Sequence, residues 1–254
     1  MQLRQFLWIF LRCAHVTVNG MNRNVRTVCS ILWNCYDFFF SYHIIYLPGN
    51  FCKFSGQEST EMELRLKDKS GKYVPLSQSR FALSDGQNIF SLPVKNPLKW
   101  DAEHPNLYEL EIIVFQNGQE TSRFSRNIGF REVKIIKDRM LVNGHQVKLR
   151  GACRHDIHPT LGRTTTLELD SLDAVLFKQA NMNFVRTSHY PPTERFLEFC
   201  DRYGIYVESE TAVCFVDTYR QKNYKPGRSQ NDPAFAERYL GQCREMVKSL
   251  RSHP

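Results

Sequence analysis

The chain has 254 residues, 42% hydrophobic and 24% charged, with a formal net charge of +8. This is an ordinary balance for a soluble globular protein, and the length holds one large domain or two smaller ones. Lys and Arg are scattered rather than gathered into a run, which argues against a nucleic-acid stripe and for a solvated basic surface.

Residues 1–54 do not read like the rest and are left unassigned. They hold apolar clusters at Phe6 to Leu11, Ile31 to Trp33 and Phe38 to Leu47. One acid, Asp37, and no Lys occur before residue 51. The first apolar run follows Arg4 as in a secretory leader, but it is short and Arg12 interrupts it. The third run contains His43 and is too short to span a bilayer. No membrane span is expected, and the compartment stays open with the cytoplasm as default.

Residues 55–146 carry a β pattern. Met62, Leu64 and Leu66 alternate with charged neighbours, as do Leu110, Ile112 and Val114, so each set predicts a half-buried strand. Asn117-Gly118 and Asn143-Gly144 are hairpin turns. Short strands with turns between them predict a β-sandwich. Trp100 reads as a core anchor of that sandwich.

Residues 147–254 alternate strand and helix. Val147–Arg150 is the expected first strand. Thr165-x-x-Glu168 is a capping box that opens a helix with Leu169, Leu172, Leu176 and Ala180 on its buried face. A strand follows at Asn183 to Ser188. Thr193 caps a helix buried through Phe196, Leu197, Cys200 and Tyr203, which Gly204 stops. Ile205 to Val207 is the third strand and ends at Glu208 and Glu210. After a polar loop, Pro233 opens a last helix with Ala236, Leu240, Cys243, Val247 and Leu250 inward. Such crossovers imply a parallel sheet, and chemistry sits at the C-terminal ends of its strands. There stand His155, Asp156, Arg186, Ser188, His189 and Glu210. The eight Cys (Cys13, Cys29, Cys35, Cys52, Cys153, Cys200, Cys214 and Cys243) show neither zinc-ribbon nor disulfide-framework spacing. Buried free thiols are expected.

Asn183-x-x-Arg186-x-Ser188-His189-Tyr190-Pro191, followed by Cys200-Asp201-Arg202-Tyr203-Gly204, resembles the first signature of glycoside hydrolase family 2, the β-galactosidase and β-glucuronidase family. Asn96-Pro97-Leu98-Lys99-Trp100 and Gly129-Phe130-Arg131 are similar to the family's immunoglobulin-like domain and its exit. The resemblance implies an immunoglobulin-like β-sandwich followed by the N-terminal part of a (β/α)₈ TIM barrel. It implies hydrolysis of a terminal β-glycoside with retention, by one carboxyl acting as acid/base and another as nucleophile. In the family these two follow a segment opened by a matching His-Pro, so both are expected beyond Pro254 and no catalytic residue is assigned here. No counterpart of the family's N-terminal jelly-roll is recognisable in residues 1–50.

By resemblance, His155 and His189 would hold sugar hydroxyls, Arg186 would orient the nucleophile, and Asp156 and Glu210 would support them. The same residues also fit structural roles: Asp156 tying down its loop, Arg186 in a buried ion pair with Glu210, Ser188 as a hydrogen-bonding support. The family's magnesium-binding Glu-x-His aligns with Cys214 and Val216, which cannot form a hard-oxygen site, so no cofactor is expected. Glu210-Thr211-Ala212-Val213 leans toward β-glucuronidases and Arg154-His155-Asp156-Ile157-His158-Pro159 toward β-galactosidases. Two other readings stand beside this one. His155, His158, His189 and Glu210 could form a metal cluster in a hydrolytic barrel, or the chain could be a non-catalytic sugar- or protein-binding remnant. An incomplete barrel is expected to expose apolar surface, including Val185 and Val207.

Overall fold

A computed structural model describes residues 44–51, 59–84, 86–213, 222–223, 232–250 and 252–254, the first of these stretches as backbone alone. The clusters at Phe6 to Leu11 and Ile31 to Trp33 lie outside the described residues, as do Cys13, Cys29, Cys35, Cys52, Cys214 and Val216 and most of the loop before Asp232.

The first half is a sandwich of antiparallel strands: β1 (Ile44–Phe51), β2 (Thr60–Lys67), β3 (Tyr73–Val74), β4 (Arg80–Ala82), β5 (Gly86–Pro93), β6 (Tyr108–Gln116) and β7 (Gln119–Ile128). One sheet runs β3-β2-β6-β7 with β4 added to β2, and β1 pairs with β5 in a second. Met62, Leu64 and Leu66 point inward as their alternation requires, meeting Leu92 of β5 and Leu110 of β6 in one core. On β6 the alternation is broken. Ile113 is fully buried beside Val114 whereas Ile112 is only partly buried, next to a register shift at Val114/Phe115. β1 falls in the stretch the sequence left unassigned, because its partner is distant in the chain and its own residues show no periodicity. β8 (Val133–Ile136), β9 (Arg139–Val142) and β10 (His145–Gln146) form a separate three-stranded sheet. Asn117-Gly118 and Asn143-Gly144 turn their hairpins as expected, all four residues at positive φ.

The second half is β11 (Gly151–Arg154), α1 (Leu167–Gln179), β12 (Phe184–Thr187), α2 (Glu194–Tyr203), β13 (Tyr206–Ser209) and α3 (Pro233–Leu250). The three strands are parallel in the order β11-β12-β13. The expected strand at Val147–Arg150 is displaced to Gly151–Arg154. Gly151 lies opposite Phe184, so close that a Cβ there would stand 1.8 Å from the Phe184 carbonyl oxygen; only glycine lets the backbones meet.

Register divides the sheet into two faces. Ala152, Val185 and Val207 form one cross-strand row, and Cys153, Arg186 and Glu208 form the next. Val185 is fully buried and Val207 partly so, packed with Ala174, Phe196, Phe199 and Cys200 from the helices. The expectation that these valines would be exposed is therefore overturned: the helices take the apolar row, and the uncovered row is polar.

α2 follows the sequence closely. Thr193 Oγ1 accepts from Phe196 N, and Gly204 closes the helix at φ 72°. α1 does not. Its cap is Thr166 rather than Thr165, and the buried residues are Asp170 and Ala174, while Leu172 and Leu176 are half exposed. The cause is Arg154, buried at the end of β11, whose guanidinium meets Asp170 at 2.9 Å and Asp173 at 2.7 Å. Stranding a buried charge costs about 3–5 kcal/mol, more than covering the exposed halves of Leu172 and Leu176, about 1.5–3 kcal/mol together. The helix turns its carboxylates inward and leaves the leucines out. α3 begins as expected, with Ala234 N donating to Asp232 Oδ1, but Leu240 and Val247 of its expected inner face are exposed. Ala236 and Cys243 are exposed too, and its half-buried large apolar residues are Phe235, Tyr239, Met246 and Leu250. Of the cysteines, Cys200 is buried as a free thiol, whereas Cys153 and Cys243 are exposed, against expectation.

The halves are joined at Trp100, 1% exposed. Its indole N–H donates to the Asp201 carbonyl at 2.7 Å and its ring meets Tyr206 edge-on. Beside it, a Cβ on Gly204 would lie 2.5 Å from the Ala102 carbonyl oxygen, which instead accepts from Lys178 Nζ. His253 is wedged in the same region. Nδ1 is 2.5 Å from Asp201 and Nε2 3.1 Å from Glu194, which also accepts from Arg126 of β7.

Two tests follow from this packing. The apolar stripes of α1 and α3 should bind a hydrophobic dye. Leu172→Lys with Leu176→Lys, or Leu240→Lys with Val247→Lys, should lower the fluorescence without lowering the urea midpoint. A fall in midpoint would show that these faces are covered. For His253, burial alone would depress its pKa, but the hydrogen bonds and charges of Asp201 and Glu194 outweigh it and raise the value from 6.5 to about 9. Its stabilisation is complete below 6.5 and fades as pH rises through about 9, with an upper limit of about 3 kcal/mol. Urea unfolding at pH 6 and pH 10 should show a larger loss for the parent than for His253→Gln.

Candidate functional site

The polar residues predicted at the strand ends come together in part. Arg186 of β12 forms an ion pair with Glu210, just past β13, and stands 3.9 Å from Glu208. His189 Nδ1 lies 3.0 Å from the other Glu210 oxygen. Glu210 N donates to Thr187 Oγ1 at 3.4 Å, which ties the end of β13 to β12. The pair is not buried as expected: the Arg186 side chain is 39% exposed and Glu210 20%. Burial would raise the Glu210 pKa, but hydrogen bonds from His189 and Arg186, and their charges, hold it below the usual carboxylate range. The Cys153 thiol, 3.7 Å from Arg186 Nη1, and Glu210 raise the Arg186 pKa.

His155 is carried by the loop after β11. Its ring meets that of His189 edge-on, centroids 5.1 Å apart, and that of Tyr190 at 6.3 Å. Asp156 turns away from this group to form an ion pair with Arg154, while its backbone N–H donates to Tyr190 Oη at 3.0 Å. Its geometry is that of a loop tie. His158 does not join His155 and His189 either. Its Nδ1 lies 3.3 Å from both Thr160 N and Leu161 N, closing its own loop. Among the described residues no group of three metal-ligating side chains converges. Ser188 is buried, yet its hydroxyl has no hydrogen-bond partner among the described residues, so the expected support does not come from that oxygen.

Sequence reasoning missed Arg154, Asp170 and Asp173. Arg154 sits on the Phe196 ring at 3.9 Å, and Asp170, fully buried, also accepts from Thr193 Oγ1 at 2.8 Å. The available signal was two acids three apart within a leucine-rich helix, on the face adjoining the leucines.

A β-sandwich joined to a parallel α/β sheet, with histidines, an arginine and a carboxylate at the strands' C-terminal ends, is the frame of a polar-ligand site on a barrel. Comparison with known proteins gives the family. The model for "Glycosyl hydrolases family 2" matches residues 54–131, and that for "Glycosyl hydrolases family 2, TIM barrel domain" matches residues 133–254. The chain belongs to glycoside hydrolase family 2 and combines its immunoglobulin-like domain with part of its TIM barrel. It is 37% identical over 165 residues to a β-galactosidase of Vibrio vulnificus strain YJ016, covering 65% of this chain and 16% of that protein. It is 34% identical over 214 residues to a β-galactosidase of Priestia megaterium strain DSM 319, covering 81% and 20%. The matched region thus spans a fifth or less of these relatives' length. A family 2 structure from Bacteroides cellulosilyticus superimposes with TM-score 0.71 at 23% identity, covering 87% of this chain and 29% of that one. The β-glucuronidase of Parabacteroides merdae gives 0.69 at 23% identity, covering 89% and 27%. No described helix is long and apolar enough to cross a membrane.

The Glu210 pairing has a checkable pH dependence. A carboxylate with a lowered pKa stabilises the fold above its ordinary value of 4.5, and that stabilisation is lost as pH falls through the lower folded value. Glu210→Gln should be less stable than the parent at pH 7, and the two should converge in acid. A constant difference from pH 7 to pH 3 would place the effect elsewhere.

Proposed function

We propose that this chain carries part of the sugar-facing wall of a retaining β-glycosidase, with terminal β-galactosides as the first substrate class and β-glucuronides the second. The observation that carries this reading is the joined set of Arg186, His189 and Glu210 at the ends of neighbouring parallel strands, with His155 against His189. Histidine and arginine donors beside an ionised carboxylate suit the hydroxyl pattern of a pyranose. The β-galactosidase relatives favour the galactoside, being more than 30% identical. In this reading His155 and His189 bind hydroxyls, while Arg186 and Glu210 form the charged floor.

Hydrolysis with retention needs two carboxyls about 5–5.5 Å apart, one protonated to serve as acid. Glu210 is unsuited to the acid role, since both its partners favour the ionised form. These 254 residues alone are therefore expected to bind sugar without turning it over, which is also where a non-catalytic sugar-binding remnant would stand. The metal-dependent reading is not favoured, because His158 serves its own loop.

The expected outcome is that nitrophenyl β-galactoside and β-glucuronide stay intact above background with the isolated chain. In a chimera completed with the remaining barrel strands of a β-galactosidase relative, His189→Ala should lower kcat/KM by about 10- to 100-fold, the worth of one or two lost polar contacts. Turnover by the isolated chain that vanished with Glu210→Gln would overturn the assignment of Glu210. Unchanged kinetics of a folded His189→Ala chimera would reduce that histidine to a structural role.

A further inference from the structure

Resting on the sugar-facing reading of His155 and His189, we propose that Asp156 and Tyr190 are positioning residues. They set the spacing of the two histidines, with Arg154 locking Asp156. The two histidines sit on different loops, and each is bracketed by residues tied across to the other loop. On one side of the pair, the Arg154 carbonyl accepts from Ser188 N at 2.8 Å. On the other, Asp156 N donates to Tyr190 Oη at 3.0 Å. Residues 154 and 156 flank His155, and residues 188 and 190 flank His189, so the two cross-links are rungs on either side of the imidazole contact.

The first rung continues the parallel ladder, which pairs Arg154 with Thr187. The second rung depends on side chains. Asp156 lies two residues beyond the end of the ladder, and its carboxylate is held by the Arg154 guanidinium. That guanidinium is itself held by the fully buried Asp170 of α1, with the more exposed Asp173 as a further partner, and rests on Phe196 of α2. The rigidity of the helical layer is thereby passed to one backbone N–H. A phenol hydroxyl accepts that hydrogen bond from a ring standing beside the His155 ring. Asp156, which the sequence offered as a supporting acid or as a tie for its loop, acts through the loop that carries His155.

The test uses the full 254-residue chain with labelled histidines. The parent should show a nuclear Overhauser contact between the His155 and His189 rings. Tyr190→Phe removes the acceptor, Asp156→Asn releases the Arg154 lock, and both should lose that contact with the far-ultraviolet circular dichroism unchanged. Asp173→Asn also removes a partner of Arg154, on the α1 side alone, and should lower the thermal midpoint while keeping the ring contact. Retention of the contact in Tyr190→Phe, or its equal loss in Asp173→Asn, would overturn the proposal. A parallel titration with methyl β-galactoside separates the two claims: binding by the parent that weakens in Tyr190→Phe supports both. No binding by the parent would overturn the glycosidase reading, while the ring contact still decides the positioning role.

Discussion

The seat of Trp100 is the constraint on which the two halves of the molecule depend. A fully buried indole must satisfy its one donor, and the acceptor it finds, the Asp201 carbonyl, lies on α2, outside its own sandwich. The contact works because the backbone at Gly204 can adopt a left-handed turn and come against Ala102 with no Cβ between them. Lys178 then satisfies the Ala102 and Gly204 carbonyls together. One aromatic residue of the sandwich thus holds the C-terminal end of α2, and β13 after it, against the sandwich.

From that point the parallel sheet is ordered by charge as much as by apolar burial. Arg154 is buried, and a buried guanidinium requires partners. Its three carboxylates come from its own loop and from α1, so the same residue decides which face α1 turns to the sheet and how the loop carrying His155 is held. The apolar row of the sheet is taken up beneath the helices. What stays open is the row of Cys153, Arg186 and Glu208, with Glu210 and the histidines at its end. A surface of that kind can remain in water and accept a polyhydroxylated ligand, which an apolar inner face could not do.

The exposed leucines of α1 and α3 are the other side of this arrangement. Helical periodicity assigns residues to a stripe, but it does not say which stripe is buried when two are available. In α1 the acidic stripe won, because the ionic requirement of Arg154 is larger than the apolar gain of two half-covered leucines.

Much of this protein was legible in its residues alone. Alternation at Met62, Leu64 and Leu66, the Asn-Gly turns, the Thr193 cap, the Gly204 stop and the stretch from Asn183 to Glu210 each depend on neighbours close in the chain. So do the order of strands and helices and the family they belong to. Local preferences and short periodicities are enough to specify such features. Other outcomes needed the folded chain: β1 pairing with β5, the shift of the first parallel strand to Gly151, the inward turn of Asp170, and the junction at Trp100. Each is decided by a contact between residues far apart in sequence, where a buried polar group must find its partner or a backbone must approach another. Those requirements are properties of the packed interior, and no stretch of sequence states them by itself.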